Sequence, residues 1–139
     1  MAIDREFGPN AGVQYYRRIL AYVHCIQGEY ARADELFRGS LRYHMEVDNS
    51  PIAASLAGFG ALRRAQGELK VAASLCGKVT SMLGSKGRQL RPIELEQFDH
   101  TVASLRAQLP RSDYDAAWVE GQALTLEQAI ALALGDDGM

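Results

Sequence analysis

Leu20-Ala21-Tyr22-Val23-His24-Cys25-Ile26-Gln27-Gly28-Glu29-Tyr30-Ala31-Arg32-Ala33-Asp34-Glu35-Leu36-Phe37 is the stretch that decides the fold, because its landmarks recur later in the chain. At an offset of 39 residues Gly28-Glu29-Tyr30 falls on Gly67-Glu68-Leu69. The same offset pairs Leu20 with Phe59, Ala21 with Gly60, Ala33 with Ala72 and Phe37 with Cys76; Leu41 with Thr80 is the poor match. Small positions meet small ones and apolar meet apolar, around a glycine suited to the left-handed end of a helix. This is an internal repeat of two helices joined by a tight turn.

Outward from this stretch, apolar residues return every three or four positions and no alternating strand pattern appears. A first helix is expected over 11–27, burying Val13, Tyr16, Ile19, Leu20, Val23 and Ile26. A second over 30–46 should bury Ala33, Phe37, Leu41 and Met45. Asp48-Asn49-Ser50-Pro51 breaks the chain, and Pro51 suits the first turn of a third helix over 51–66. That helix presents Ile52, Leu56, Phe59 and Leu62. The fourth, over 69–83, turns Ala72, Leu75, Cys76, Val79 and Leu83 inward. After a Gly84-Ser85-Lys86-Gly87 loop, a fifth over 93–109 carries Leu95, Phe98, Val102, Leu105 and Leu109 in regular three-four spacing. Ser112 is placed to cap a short sixth helix with Tyr114, Ala117 and Trp118. Thr125 and Gln128 have capping-box spacing for a last helix with Leu126, Ala129, Ile130 and Leu134. The fold class expected is therefore all-α: two antiparallel helix hairpins (about 11–46 and 51–83) and a helical cap (93–134), seven helices in one domain. Residues 1–10 read as a disordered or non-native N-terminal stretch and 135–139 as a frayed tail.

The first hairpin resembles a tetratricopeptide repeat. Leu20-Ala21-x-x-His24, Gly28-x-Tyr30 and Ala33-x-x-x-Phe37 follow that family's order, and Phe59-Gly60, Gly67 and Ala72 repeat it. Arg17 and Leu56 stand at the family's tryptophan site, His24 and Arg63 at its tyrosine site, and the period exceeds the usual ~34 residues. Ala53–Gly60, Arg64–Gly67 and Ala117–Leu134 are in addition similar to the C-terminal end of large multidomain signalling ATPases, including LuxR-type transcription regulators and adenylate-cyclase-linked proteins. The likeness spans residues 12–134. It implies a helical-repeat sensor or scaffold arm behind an ATPase domain, a module that binds protein or peptide without turnover.

The residues themselves point the same way. At 139 residues, 47% hydrophobic and 23% charged, the chain has one ordinary globular core. Cys25 and Cys76 fall in apolar patterns, as reduced core thiols do. No apolar run approaches the ~20 residues that span a bilayer, and no signal-peptide pattern opens the chain, so a cytoplasmic location is expected. His24, His44 and His100 are scattered without metal-ligand spacing, Gly58-Phe59-Gly60 lacks the rest of a dinucleotide fingerprint, and no Walker A motif exists. No catalytic residue, cofactor or metal site is expected. Glu94 and Glu96 read as a solvated first turn near a helix N-terminus.

Two surfaces remain. Residues 69–93 hold five basic side chains and no acid, while 94–139 hold two basic and nine acidic ones. The basic segment lacks interleaved aromatics, which leaves nucleic acid as the weaker reading; a solvated face, or a dock for the acidic C-terminal part, is stronger. The inner face of the stack should carry Tyr15, Arg18, Tyr22 and Cys25 beside Ala54, Ala57, Ala61 and Arg64. Tyr15, Arg18, Tyr22 and Arg64 would there suit a carboxylate-bearing peptide, because arginine forks match carboxylates. Equally, the tyrosines would cover a missing upstream repeat, and the uncovered first helix suits either a longer array, in which the parent's own upstream domains are the partner, or a homodimer.

Overall fold

Gly28 and Gly67 build the same turn. Both are left-handed, with φ of 80° and 84°. In one, the Gly28 amide donates to Cys25 O and the Glu29 amide to His24 O; in the other, Gly67 donates to Arg64 O and Glu68 to Arg63 O. This is the Schellman pair of hydrogen bonds, which satisfies the last carbonyls of one helix while turning the chain into the next. In a computed structural model describing residues 11–47, 52–84 and 90–135, these turns join α1 (Ala11–Ile26) to α2 (Tyr30–Val47) and α3 (Ile52–Ala65) to α4 (Leu69–Leu83). Then come α5 (Pro92–Gln108), α6 (Arg111–Ala123) and α7 (Leu126–Leu134). The described residues thus form seven helices and no strand, an all-α architecture of helix hairpins with further helices packed on them. Residues 1–10, the expected break at 48–51, residues 85–89 of the expected loop and its continuation, and the last four residues lie outside those described.

The hub is α3, in which every residue from Ala53 to Arg63 is buried. It packs between α4 on one side and α2, α1 and α5 on the others, with α7 touching one end. Phe37, Leu41, Leu56, Phe59, Leu62, Leu75 and Leu105 fill the centre, the Phe37 and Phe59 rings 5.8 Å apart. Gly58 is required there, since a Cβ on it would stand 2.2 Å from the Phe37 ring. The most extensive pairing is α4 with α6, made through small residues: Ser74 Oγ donates to Ala117 O at 3.0 Å. A Cβ at Gly77 would meet Trp118 O at 2.3 Å and one at Gly121 would meet Ser74 O at 1.8 Å. The two backbones therefore touch.

At the end of the chain, the Thr125–Gln128 capping box forms as expected, with reciprocal bonds of 2.9 and 3.1 Å. α6 begins two residues earlier than a Ser112 cap implies, with Pro110 at the cap position. The C-terminal carbonyls of α7 are held by arginines from the first two hairpins: Arg63 donates to Ala133 O and Arg38 to Leu134 O, each at 2.7 Å. Positive charge at a helix C-terminus is favourable for both hydrogen-bonding and dipole reasons. Among the described residues no helix is long and apolar enough to cross a membrane.

Candidate functional site

The first helix turns the opposite way to its apolar pattern. Val13, Tyr16, Leu20, Val23 and Ile26, expected in the core, are 43–73% exposed. The buried positions of α1 are Gln14, Arg18, Ala21, Tyr22 and Cys25. The reason lies in what those side chains meet. Arg18 Nε donates to Glu94 Oε2 at 2.6 Å and Nη2 to Glu94 Oε1 at 3.3 Å, a two-pronged pair whose side chains are 4% and 0% exposed. Arg18 Nη1 donates to Ser40 Oγ at 3.1 Å and lies 2.9 Å from His44 Nε2. Ser40 in turn touches Ser55 Oγ at 3.0 Å, and the Arg91 backbone amide donates to Glu94 Oε1. One polar cluster thus ties α1, α2, α3 and α5 together. Burying charges is tolerable only with such pairing and hydrogen bonding.

Arginine has no acceptor, so His44 Nε2 must present its lone pair and the ring proton sits on Nδ1, which is buried without a partner. Burial, followed by the Arg18 charge, lowers the His44 pKa to about 4 and keeps the ring neutral. Burial, with the Glu94 carboxylate behind it, raises the Tyr22 phenol well above its ordinary value. Burial likewise pushes the Cys76 thiol up to about 12, and both cysteines are free and buried.

The inner face is consequently not the open one expected from the repeat pattern. Arg18 and Tyr22 are 3% and 4% exposed, and the floor of Ala54, Ala57 and Ala61 lies in the core. The carboxylate matched by the Arg18 fork is the chain's own Glu94, and Glu94, expected in a solvated first turn, is fully buried. Tyr15 is half-buried beneath the Arg91 guanidinium, 5.6 Å from its ring. Arg64 donates to Ser104 Oγ on α5. A cleft of about 340 Å³ remains beside Tyr22, Cys25, Arg64, Gln97 and His100. The four candidate residues therefore belong to the seam where α5 covers α1 and α3. α5 itself is rotated relative to its apolar pattern: Glu94, Phe98, Thr101 and Leu105 point inward and Leu95 is 45% exposed.

Of the basic segment, Lys78 Nζ donates to Leu124 O at 2.7 Å, a backbone carbonyl of the C-terminal part and not one of its acids. Lys70 borders a groove of about 590 Å³ shared with Asp113 and Glu120. Lys86 and Arg88 lie outside the described residues. Among those described, no three His, Cys, Asp or Glu side chains cluster as a metal would need.

The surface that stands out chemically is the outer face of α1. Five large apolar side chains at helical spacing are exposed along it, and Met45 of α2 is also 50% exposed. Comparison with family models, with curated proteins and with solved structures found no match to this chain.

Proposed function

We propose that the chain is a non-catalytic protein-interaction module. On this reading it is the C-terminal end of a tetratricopeptide-like arm serving as sensor or scaffold in a larger cytoplasmic regulator of the ATPase or LuxR type. The observation that carries it is the outward apolar stripe Val13–Tyr16–Leu20–Val23–Ile26 on α1. A polar surface would serve a free-standing domain better, whereas an apolar one gains about 25 cal/mol for every Å² that a partner covers. The partner is a protein, the parent's own upstream domains included. The same stripe also favours a second reading, a purely structural segment that self-associates. Nucleic-acid binding through 70–91 has no comparable support, since Lys78 and Arg91 are engaged within the chain.

A partner-free experiment tests whether the stripe is a surface at all. The double variant Leu20→Gln/Val23→Gln should unfold in urea within about 0.5 kcal/mol of the parent per site, as surface substitutions do. A loss of 2 kcal/mol or more, on the scale of about 2–5 for truncating a core side chain, would mean that the stripe is packed and the reading fails.

A further inference from the structure

We propose that the outer face of α1 receives the second helix of another helix hairpin, one with a small residue where α2 carries Phe37. This rests on the interaction reading and names the partner's chemistry. The 39-residue correspondence that aligns the two turns also aligns α1 with α3. Tyr16 then corresponds to Ser55, Ile19 to Gly58, Leu20 to Phe59 and Val23 to Leu62. On α3 all four positions are buried, and α2 covers three of them. The Phe37 ring lies against Phe59 and fills the space above Gly58, and Ser40 meets Ser55. On α1 the counterparts Tyr16, Leu20 and Val23 are 54%, 47% and 43% exposed. Among the described residues, the covering element that α3 has is not repeated on α1: no helix lies along it as α2 lies along α3.

The opposite end of the molecule does not offer that helix. The outward side of α6 carries Arg111, Asp115, Glu120 and Gln122, with Val119 its one large apolar residue. A polar end of this kind closes a stack, while the α1 end leaves it open. Head-to-tail stacking of two copies would therefore set a charged face on an apolar one. The partner's own requirement follows from Ile19. Where Gly58 leaves room for an aromatic ring, Ile19 fills that room with a branched side chain, so the incoming helix needs alanine or glycine there, flanked by apolar residues one turn either way.

The probe is a synthetic peptide of the α2 sequence, 30–47, carrying Phe37→Ala and Arg42→Lys, the amine introduced at position 42 condensed with the Glu46 carboxyl as a lactam with loss of water; both positions are exposed in the fold. Titrated into the full chain, it should bind saturably. Leu20→Glu in the chain should weaken binding at least tenfold, and restoring Phe37 in the peptide should weaken it to a similar degree. No saturable binding would overturn the proposal. Binding indifferent to Leu20→Glu would do so too, because it would place the peptide on α3 in exchange for the resident α2. A homodimer in sedimentation that Leu20→Glu dissociates would replace the hairpin with a second copy. A stripe that is solvent-exposed in the urea experiment but takes no peptide refutes this inference alone, leaving the interaction reading standing.

Discussion

Glu94→Gln removes one charge from the centre of the molecule and leaves nearly all the atoms in place. The Arg18 side chain, now 4% exposed, would then face an amide where it now meets a carboxylate at 2.6 Å. Ser40 and His44, its other neighbours, are neutral and cannot replace the charge. Breaking a buried pair by neutralising one partner costs about 3–5 kcal/mol, a large share of the ~5–15 kcal/mol that holds a domain of this size. The Gln side chain can still accept from Arg18, so the lower end, about 3 kcal/mol, is expected. Arg18→Met strands Glu94 and should cost a similar amount. Removing both charges, as Arg18→Met/Glu94→Gln, should cost clearly less than the two singles added. The assay is urea unfolding followed by circular dichroism at pH 7, read as a double-mutant cycle with the m-value checked for constancy. A coupling near zero, with each single below 1 kcal/mol, is the behaviour of an exposed ion pair and would refute the burial of this cluster.

Two further outcomes follow from the same core. His44 is neutral in the folded chain down to about pH 4 but takes a proton near 6.5 once unfolded, so between those values the unfolded state binds more protons. Its contribution is fully present above pH 6.5 and is lost as the pH falls toward 4, by about 3 kcal/mol in all; His44→Gln should flatten that part of the stability–pH curve, and an unchanged slope would contradict the assignment. Gly121→Ala should force α4 and α6 apart, because its Cβ would overlap the Ser74 carbonyl; overpacking of that kind costs about 1–3 kcal/mol or more, against a gain of at most about 1 kcal/mol in helix propensity. A neutral or stabilising result in thermal unfolding would show that the backbones are not in contact.

Local chemistry was legible in the sequence; orientation was less so. The turns at Gly28 and Gly67, the Thr125–Gln128 box and the inward face of α4 depend on residues adjacent in the chain, and each formed as read. For α1 periodicity gave the right helix and the wrong face. An apolar stripe shows which face of a helix is apolar, not which face the rest of the chain covers. The decisive interaction of α1 is with Glu94, 76 positions away, and no local pattern marks it. The repeat did hold the signal: Arg18 and Tyr22 align with Ala57 and Ala61, positions buried in the hub helix, so the inward side of α1 could be taken from α3. α5 misled for a related reason. Its apolar spacing is regular, yet the buried Glu94 carboxylate fixes the rotation and leaves Leu95 outside. Met45 was likewise expected inside, where Ser40 and His44 instead complete the polar cluster.

Which side of α1 meets water decides both the buried pair and the docking face. Methyl relaxation by a soluble paramagnetic agent, recorded on the dilute monomeric chain with labelled Ile, Leu and Val methyls, reads this residue by residue. The methyls of Val13, Leu20, Val23 and Ile26 should relax strongly, while Leu62, the repeat counterpart of Val23, and the core residues Leu56 and Leu75 should be shielded. Leu20 and Val23 shielded to the level of Leu62 would put the apolar stripe inside, and with it would fall both the buried Arg18–Glu94 pair and the docking face.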